Sequence, residues 1–215
     1  MSTHQLELNG KEQAQIGCRS VIYALLAQGF RFPSAEQFER VKNGQFADEA
    51  QAAAGNLPYG DLNAGKLGRG TGLSYDQFQS RYIELFDVGG ELGAPCFIYE
   101  GEYGGGRMKA MEEVLRFYHY FGLRLSTEKR DRPDHLASEL EFLHALTFKE
   151  AESLLQGKDG APYRSAERDF LRLHLTGFTT DVAKTIGGKG VDFYSELSRL
   201  ASDFCQRDLA HLQKV

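Results

Sequence analysis

Apolar residues along this chain recur mostly at intervals of three and four, the spacing of helix faces rather than of alternating strands. In "EQAQIGCRSVIYALLAQGF", residues 12 to 30, an apolar helix runs from Ile16 through Leu26 and closes before Pro33. Ser34 and Gln37 form an S-x-x-Q capping box, opening a short helix with Phe38 and Val41 on one side. A second box, Ser74 with Gln77, begins "SYDQFQSRYIELF", where Phe78, Tyr82 and Leu85 share a face and Phe86 sits at the end. "RMKAMEEVLRFYHYFGLRL" places Met111, Leu115, Tyr118 and Phe121 on one face before Gly122 offers a left-handed stop. A helix starting at a Ser165 cap is expected to bend or break at Gly177, and the last one turns Phe193, Leu197, Leu200, Phe204 and Leu209 toward a core.

Between these segments, residues 55 to 73 and 87 to 106 are too rich in Gly, Asn and Pro for regular elements and read as long loops, the first of them mobile; residues 1 to 11 read as disordered. No internal repeat or linker divides the chain. The expectation is an all-α, single-domain bundle of six or more helices spanning residues 1 to 215.

One helix is patterned differently. "RPDHLASELEFLHAL", residues 132 to 146, reads as starting at Pro133 and running to Gln156 before Gly157. Leu136, Leu140, Leu143 and Thr147 form an apolar line that Phe142 and Leu146 widen, and His135 and Glu139 fall inside that arc. Ser138, Glu141 and His144 read as its solvated face. A buried carboxylate without a partner costs several kcal/mol. The pair therefore either satisfies itself and its neighbours or lines a groove that something else fills.

Composition narrows the classes. At 215 residues the chain can bury a substantial core without staples. Leu, Glu, Gln, Ala and Arg are plentiful, which favours helix. Cys18, Cys96 and Cys205 match no disulfide or zinc spacing and fit a reducing cytoplasm. The amino terminus has no export signature, and no window approaches the roughly 20 apolar residues of a membrane span. A net charge of −5 argues against general affinity for nucleic acid.

Enzymatic chemistry finds little support. Glu141 and His144 make a single E-x-x-H, whereas a di-iron bundle needs two. "GKLGRGTG" and "GGKG" lack the order of a phosphate loop, and no G-x-S-x-G occurs. No cofactor is expected. A small helical metal- or nucleotide-dependent enzyme is the alternative reading.

Charge is more telling. Between Arg81 and Arg107 there is no Lys or Arg, while Glu84, Asp87, Glu91, Glu100 and Glu102 are interleaved with Phe86, Phe97, Ile98, Tyr99 and Tyr103. A solvated acidic loop is one reading. Apolar anchors beside carboxylates also suit a peptide carrying an arginine pair and an apolar stretch.

"ELFDVGG", "APCFIYEGEY", "YHYFGLRL" and "RPDHLASELEFLHAL", in that order, resemble the TorD/DmsD/NarJ family of redox-enzyme maturation proteins. The resemblance runs from about Tyr23 to "FYSELSRLA" and includes "FLRLHL", residues 170 to 175; the tryptophan frequent after that histidine in the family is absent, as is any tryptophan. "GAPCFIYEGEYGGGRM" is most similar to the chaperones of type II dimethyl sulfoxide reductase family enzymes. The resemblance implies a cytoplasmic, all-helical chaperone, monomeric or homodimeric. It would hold the twin-arginine leader or amino-terminal segment of an apo molybdenum oxidoreductase catalytic subunit until its cofactor is inserted. It also implies leader-binding roles for Asp134, His135 and the segment Tyr99 to Tyr103. With the charge pattern, the candidate leader-binding set is Asp134, His135, Glu139, Tyr99, Glu100, Tyr103, Glu84 and Phe86.

Pro133 suits a first helical position, which would leave Asp134 and His135 in the first turn, where the helix dipole favours negative charge. Asp134 is then expected at a groove edge, ready for an arginine, with His135 and Glu139 on the groove wall. The competing reading makes Asp134 a cap and His135 with Glu139 a buried pair.

Overall fold

The computed structural model describes residues 10–60, 62–67, 72–87, 93–104, 106–124, 132–188 and 192–214. Nine α-helices lie among them: α1 (Lys11–Gly29), α2 (Ala35–Lys42), α3 (Gln45–Ala54), α4 (Tyr75–Phe86), α5 (Arg107–Tyr120), α6 (Leu136–Leu155), α7 (Ala161–Phe170), α8 (Thr176–Gly187) and α9 (Phe193–Leu212). A single 3-10 turn occupies Glu100–Glu102, and a π-helical turn, Leu171–Leu175, joins α7 to α8. The chain is an all-α helical bundle, as its periodicity requires. Residues 1 to 9, Glu91, and Lys189 with Gly190 of "GGKG" lie outside the described residues.

Local signals place most of the helix ends. Ser34 and Ser74 each accept a hydrogen bond from the backbone N–H three residues on; of the two, Ser74 has the completed box, with the Gln77 side chain returning the bond. Gly122 and Gly157 take φ values of 69° and 67°, the left-handed conformation that ends α5 and α6. Other elements differ from expectation. The alanine-rich α3 has few large side chains to mark a face. Helix α7 starts at Ala161, with Pro162 in its first turn, and encloses Ser165. The irregularity expected at Gly177 falls earlier, in the π turn, and Gly177 lies inside α8.

The core sits around α6, which packs most extensively against α1 and then α7, while α8 packs on α9. Phe142 meets Phe117, Tyr118, Phe121 and Phe170 at centroid distances of 4.7 to 6.2 Å. The stripe of α5 is Ala110, Val114 and Tyr118, one position from the expected line, leaving Met111 and Leu115 half-buried at its flank. A second aromatic group joins Phe78, Tyr82 and Phe86 of α4 to Phe193 and Tyr194 of α9. Among its described residues the segment after α3 has no regular element, yet Leu57, Leu62, Ala64 and Leu67 reach into the core.

Buried charge also ties the helices together. Arg19 of α1, 2% exposed, donates to Asp208 of α9 (2.6 and 3.0 Å), Glu167 of α7 (2.5 Å) and Glu150 of α6 (3.4 Å). Tyr23 and Tyr59 donate to Asp208 as well, and Arg164 donates to Glu150 at 2.7 Å. Burial pushes the Glu167 carboxyl up to about 8 against the pull of Arg19, and its Oε1 is buried without a hydrogen-bond partner.

Candidate functional site

The site is built where the loop before α5 crosses the start of α6. Tyr99 and His135 form an isolated antiparallel bridge, with Glu100 N–H donating to Asp134 O and Leu136 N–H to Ile98 O, both at 2.9 Å. This pairing holds His135 extended (φ −76°, ψ 131°), so α6 begins at Leu136 rather than at Pro133. His135 becomes the N-cap, its Nδ1 accepting from Ala137 N–H at 3.1 Å. Its ring also meets the Tyr99 ring edge-on at 5.2 Å.

Asp134 differs most from expectation. It is wholly buried and already bound, accepting from Arg132 Nε (3.0 Å) and Nη2 (2.6 Å) and from Gly101 N–H (3.1 Å). A pairing two residues away satisfies the carboxylate that helix-dipole reasoning left open. Gly101 is required by this approach: a Cβ there would stand 2.7 Å from Arg107 Cα and 3.0 Å from Asp134 Oδ2. Arg132 also reaches Glu102 (2.9 Å), which accepts from Arg107 at 2.7 Å. The hydrogen bond from Arg132 is the main influence holding the Glu102 carboxyl below its ordinary range.

Glu100 turns the other way, its two oxygens each 3.0 Å from His174 Nδ1 in the π turn. Tyr103 donates to Phe97 O at 2.8 Å. Glu139 lies buried nearby with both carboxylate oxygens lacking a hydrogen-bond partner. Burial, then the charges of Glu100 and Asp134, push its carboxyl well above the ordinary range. The His135–Glu139 pair of the competing reading does not form: His135 Nδ1 serves the cap, and both Glu139 oxygens lack a hydrogen-bond partner.

The fold thus gathers Tyr99, Glu100, Tyr103, Asp134, His135 and Glu139, and adds Arg132, Glu102, His174 and Tyr118, whose hydroxyl donates to Pro133 O at 3.0 Å. Glu84 and Phe86 have other neighbours. Glu84 is exposed on α4, 3.6 Å from Arg81. Phe86 is buried against Phe30, Tyr82 and Tyr194, which corrects its expected place on a binding surface. The face read as solvated is corrected too: Ser138 is buried, and His144 Nδ1 lies 2.8 Å from Ser20 Oγ, because α1 covers that side. Glu141, paired with Arg31, is the exposed member. Among the described residues no cluster of three His, Cys, Asp or Glu side chains could hold a metal, and no helix is long and apolar enough to cross a membrane.

A protein-family model described as nitrate reductase delta subunit matches residues 58–184, a span that includes the crossing strap, the start of α6 and His174. The chain belongs to the nitrate reductase delta subunit family. This delta-subunit family member is 34% identical over 161 residues to the chlorate reductase assembly chaperone protein of Ideonella dechloratans, covering 74% of this chain and 72% of that one. It is 29% identical over 206 residues to the perchlorate reductase assembly chaperone protein of Dechloromonas aromatica, covering 92% and 89%. In structure, a candidate redox enzyme maturation protein from Archaeoglobus fulgidus matches with a TM-score of 0.52 at 20% identity, covering 94% and 99% of the two chains, and shares the delta-subunit fold.

The state of Glu139 is open to measurement. A carboxyl raised in the fold keeps a proton that the unfolded chain gives up at lower pH. Its contribution to stability is therefore complete at acid pH and is lost as pH rises toward the raised value. Glu139→Gln has no proton to lose. It should match the parent near pH 4 and gain on it by about 1.4 kcal/mol per pH unit through the window. Denaturant unfolding of both proteins across pH tests this, and parallel profiles would mean that Glu139 is ionised in the fold.

Proposed function

We propose that this protein is a system-specific assembly chaperone that binds the arginine-containing leader or amino-terminal segment of an apo molybdenum oxidoreductase catalytic subunit in the cytoplasm. It holds that segment until the cofactor is inserted. The observation that carries this reading is the strap crossing α6. There the carboxyl groups of Glu100, Glu102, Asp134 and Glu139 share one neighbourhood with the rings of Tyr99 and Tyr103. The family's chaperone-named relatives support the same reading. Carboxylates beside tyrosine rings favour a guanidinium, through forked hydrogen bonds and stacking, and the half-buried Tyr99 and Tyr103 offer apolar contact to the rest of the segment. His135 holds the strap against the helix, and the exposed Glu84 adds long-range attraction. The similarity to chlorate and perchlorate reductase chaperones favours a client of the dimethyl sulfoxide reductase type.

A fluorescent peptide with an arginine pair ahead of an apolar stretch tests the proposal. Binding should weaken as salt rises, since part of the attraction is between partly exposed charges. Replacing both arginines by glutamine should cost at least about 1.5 to 3 kcal/mol, the worth of one charged hydrogen-bonding group. Salt-independent affinity, or equal binding of the glutamine peptide, would overturn the electrostatic recognition.

A further inference from the structure

In the free protein the most strongly organised anion of this neighbourhood is occupied. Each nitrogen of the Arg132 guanidinium is used: Nε and Nη2 on the two oxygens of Asp134, at 3.0 and 2.6 Å, and Nη1 on Glu102 at 2.9 Å. The guanidinium carbon stands 4.4 Å from the centre of the Tyr99 ring. A forked carboxylate, a second acceptor and an aromatic face are what a protein uses to recognise a foreign arginine. Here they hold a side chain of the same segment. Asp134 is fully buried, whereas the Arg132 side chain is 25% exposed. Close by, Glu139 is buried with neither oxygen hydrogen-bonded, a second acidic group beside the same strap.

We propose that Asp134, Glu102 and the face of Tyr99 form a guanidinium subsite that Arg132 fills while the protein is free, and that an arginine of the bound segment takes its place. The inference rests on the peptide-binding reading and adds how the site remains folded when empty. A buried Asp134 with no cation would be strongly destabilising, so the internal arginine keeps the vacant site intact. Exchange of one guanidinium for another leaves the local charge unchanged: Asp134 and Glu102 remain balanced by two cations, one of them Arg107. An intruding neutral side chain would leave Asp134 unpaired. The device therefore gives selectivity for arginine without excessive affinity, which suits a holder that must release its client.

Arg132→Gln separates this from a purely structural ion pair. The measurement is anisotropy of the labelled arginine-pair peptide against the full chain, for the parent, R132Q, D134N and the double variant, with thermal unfolding of each. Removing the internal competitor should tighten binding roughly ten- to a hundredfold, the factor expected when the competent state is about 1 to 10% populated. That gain should vanish in the D134N background. Peptide binding by the parent with equal or weaker binding by R132Q would overturn the subsite and leave the peptide-binding reading standing. Absence of binding in both would overturn the two together. Binding only by R132Q would support the subsite. If R132Q unfolds early, R132K, which keeps the charge but not the fork, should show a smaller gain with the fold retained; no gain there would also overturn the proposal.

Discussion

Arg19→Met should lower the unfolding free energy by about 3 to 5 kcal/mol, the cost of breaking a buried ion cluster on one side. Methionine refills much of the side-chain volume, so the loss is that of the cation facing Asp208, Glu150 and Glu167, all of them fully buried. Against a total stability of about 5 to 15 kcal/mol for a typical domain, that is enough to populate the unfolded chain. The deficit should shrink as pH falls from 8 toward 5, because carboxyls deprived of their cation bind protons in the fold, and Glu167 is already raised to about 8 with Arg19 present. The control is Arg31→Met. That pair with Glu141, whose side chain is 51% exposed, should be worth less than about 1 kcal/mol. Urea unfolding of the two variants at several pH values checks both statements, and equal losses would deny the buried cluster any special weight.

Phe170→Ala should cost a similar amount, about 3 to 5 kcal/mol, as expected for truncating a buried phenylalanine. The ring is fully buried, packed against Phe142 at 4.7 Å, His174 at 4.9 Å, Phe117 at 5.1 Å and Tyr118 at 6.5 Å. Three of these neighbours sit on α5 and α6, so the cavity would open between elements with little freedom to collapse into it. The fourth, His174, is the partner of Glu100, so peptide binding should weaken as that contact loosens. Phe170→Leu, which refills most of the volume, should recover more than half of both losses. Thermal unfolding and peptide titration, run together, read the two effects.

The fold was legible wherever its causes are local. The stripes of α1, α4 and α9, the box at Ser74 and the stops at Gly122 and Gly157 are set by residues within a turn of one another. The candidate site was legible as a set of residues, since Tyr99 to Tyr103 and Asp134 to Glu139 do converge, but not as a geometry. His135 ends up a cap because a strand-like bridge to the distant Tyr99 holds it extended. Asp134 is quenched by Arg132, whose position in the sequence gave no sign of which way it would fold. Least legible was Arg19, which lies in the largely apolar stretch from Ile16 to Leu26 and finds partners 131 to 189 positions away. Phe86 shows the converse: in the sequence an aromatic beside acids looks like a surface anchor, whereas the packing of α4 on α9 makes it core.

The π turn at Leu171–Leu175 also sets the phase between two helices. At roughly 100° per residue, an unbroken helix would carry Ile186 about a quarter turn out of line with Glu167, yet both are buried. The wider turn absorbs one surplus residue and brings α8 back into step with α7. A chain one residue shorter between positions 171 and 175 would close as ordinary helix with both faces still aligned on the core. What it would give up is the local offset that points His174 at Glu100, so the surplus residue serves the aim of one imidazole rather than the continuity of the helix.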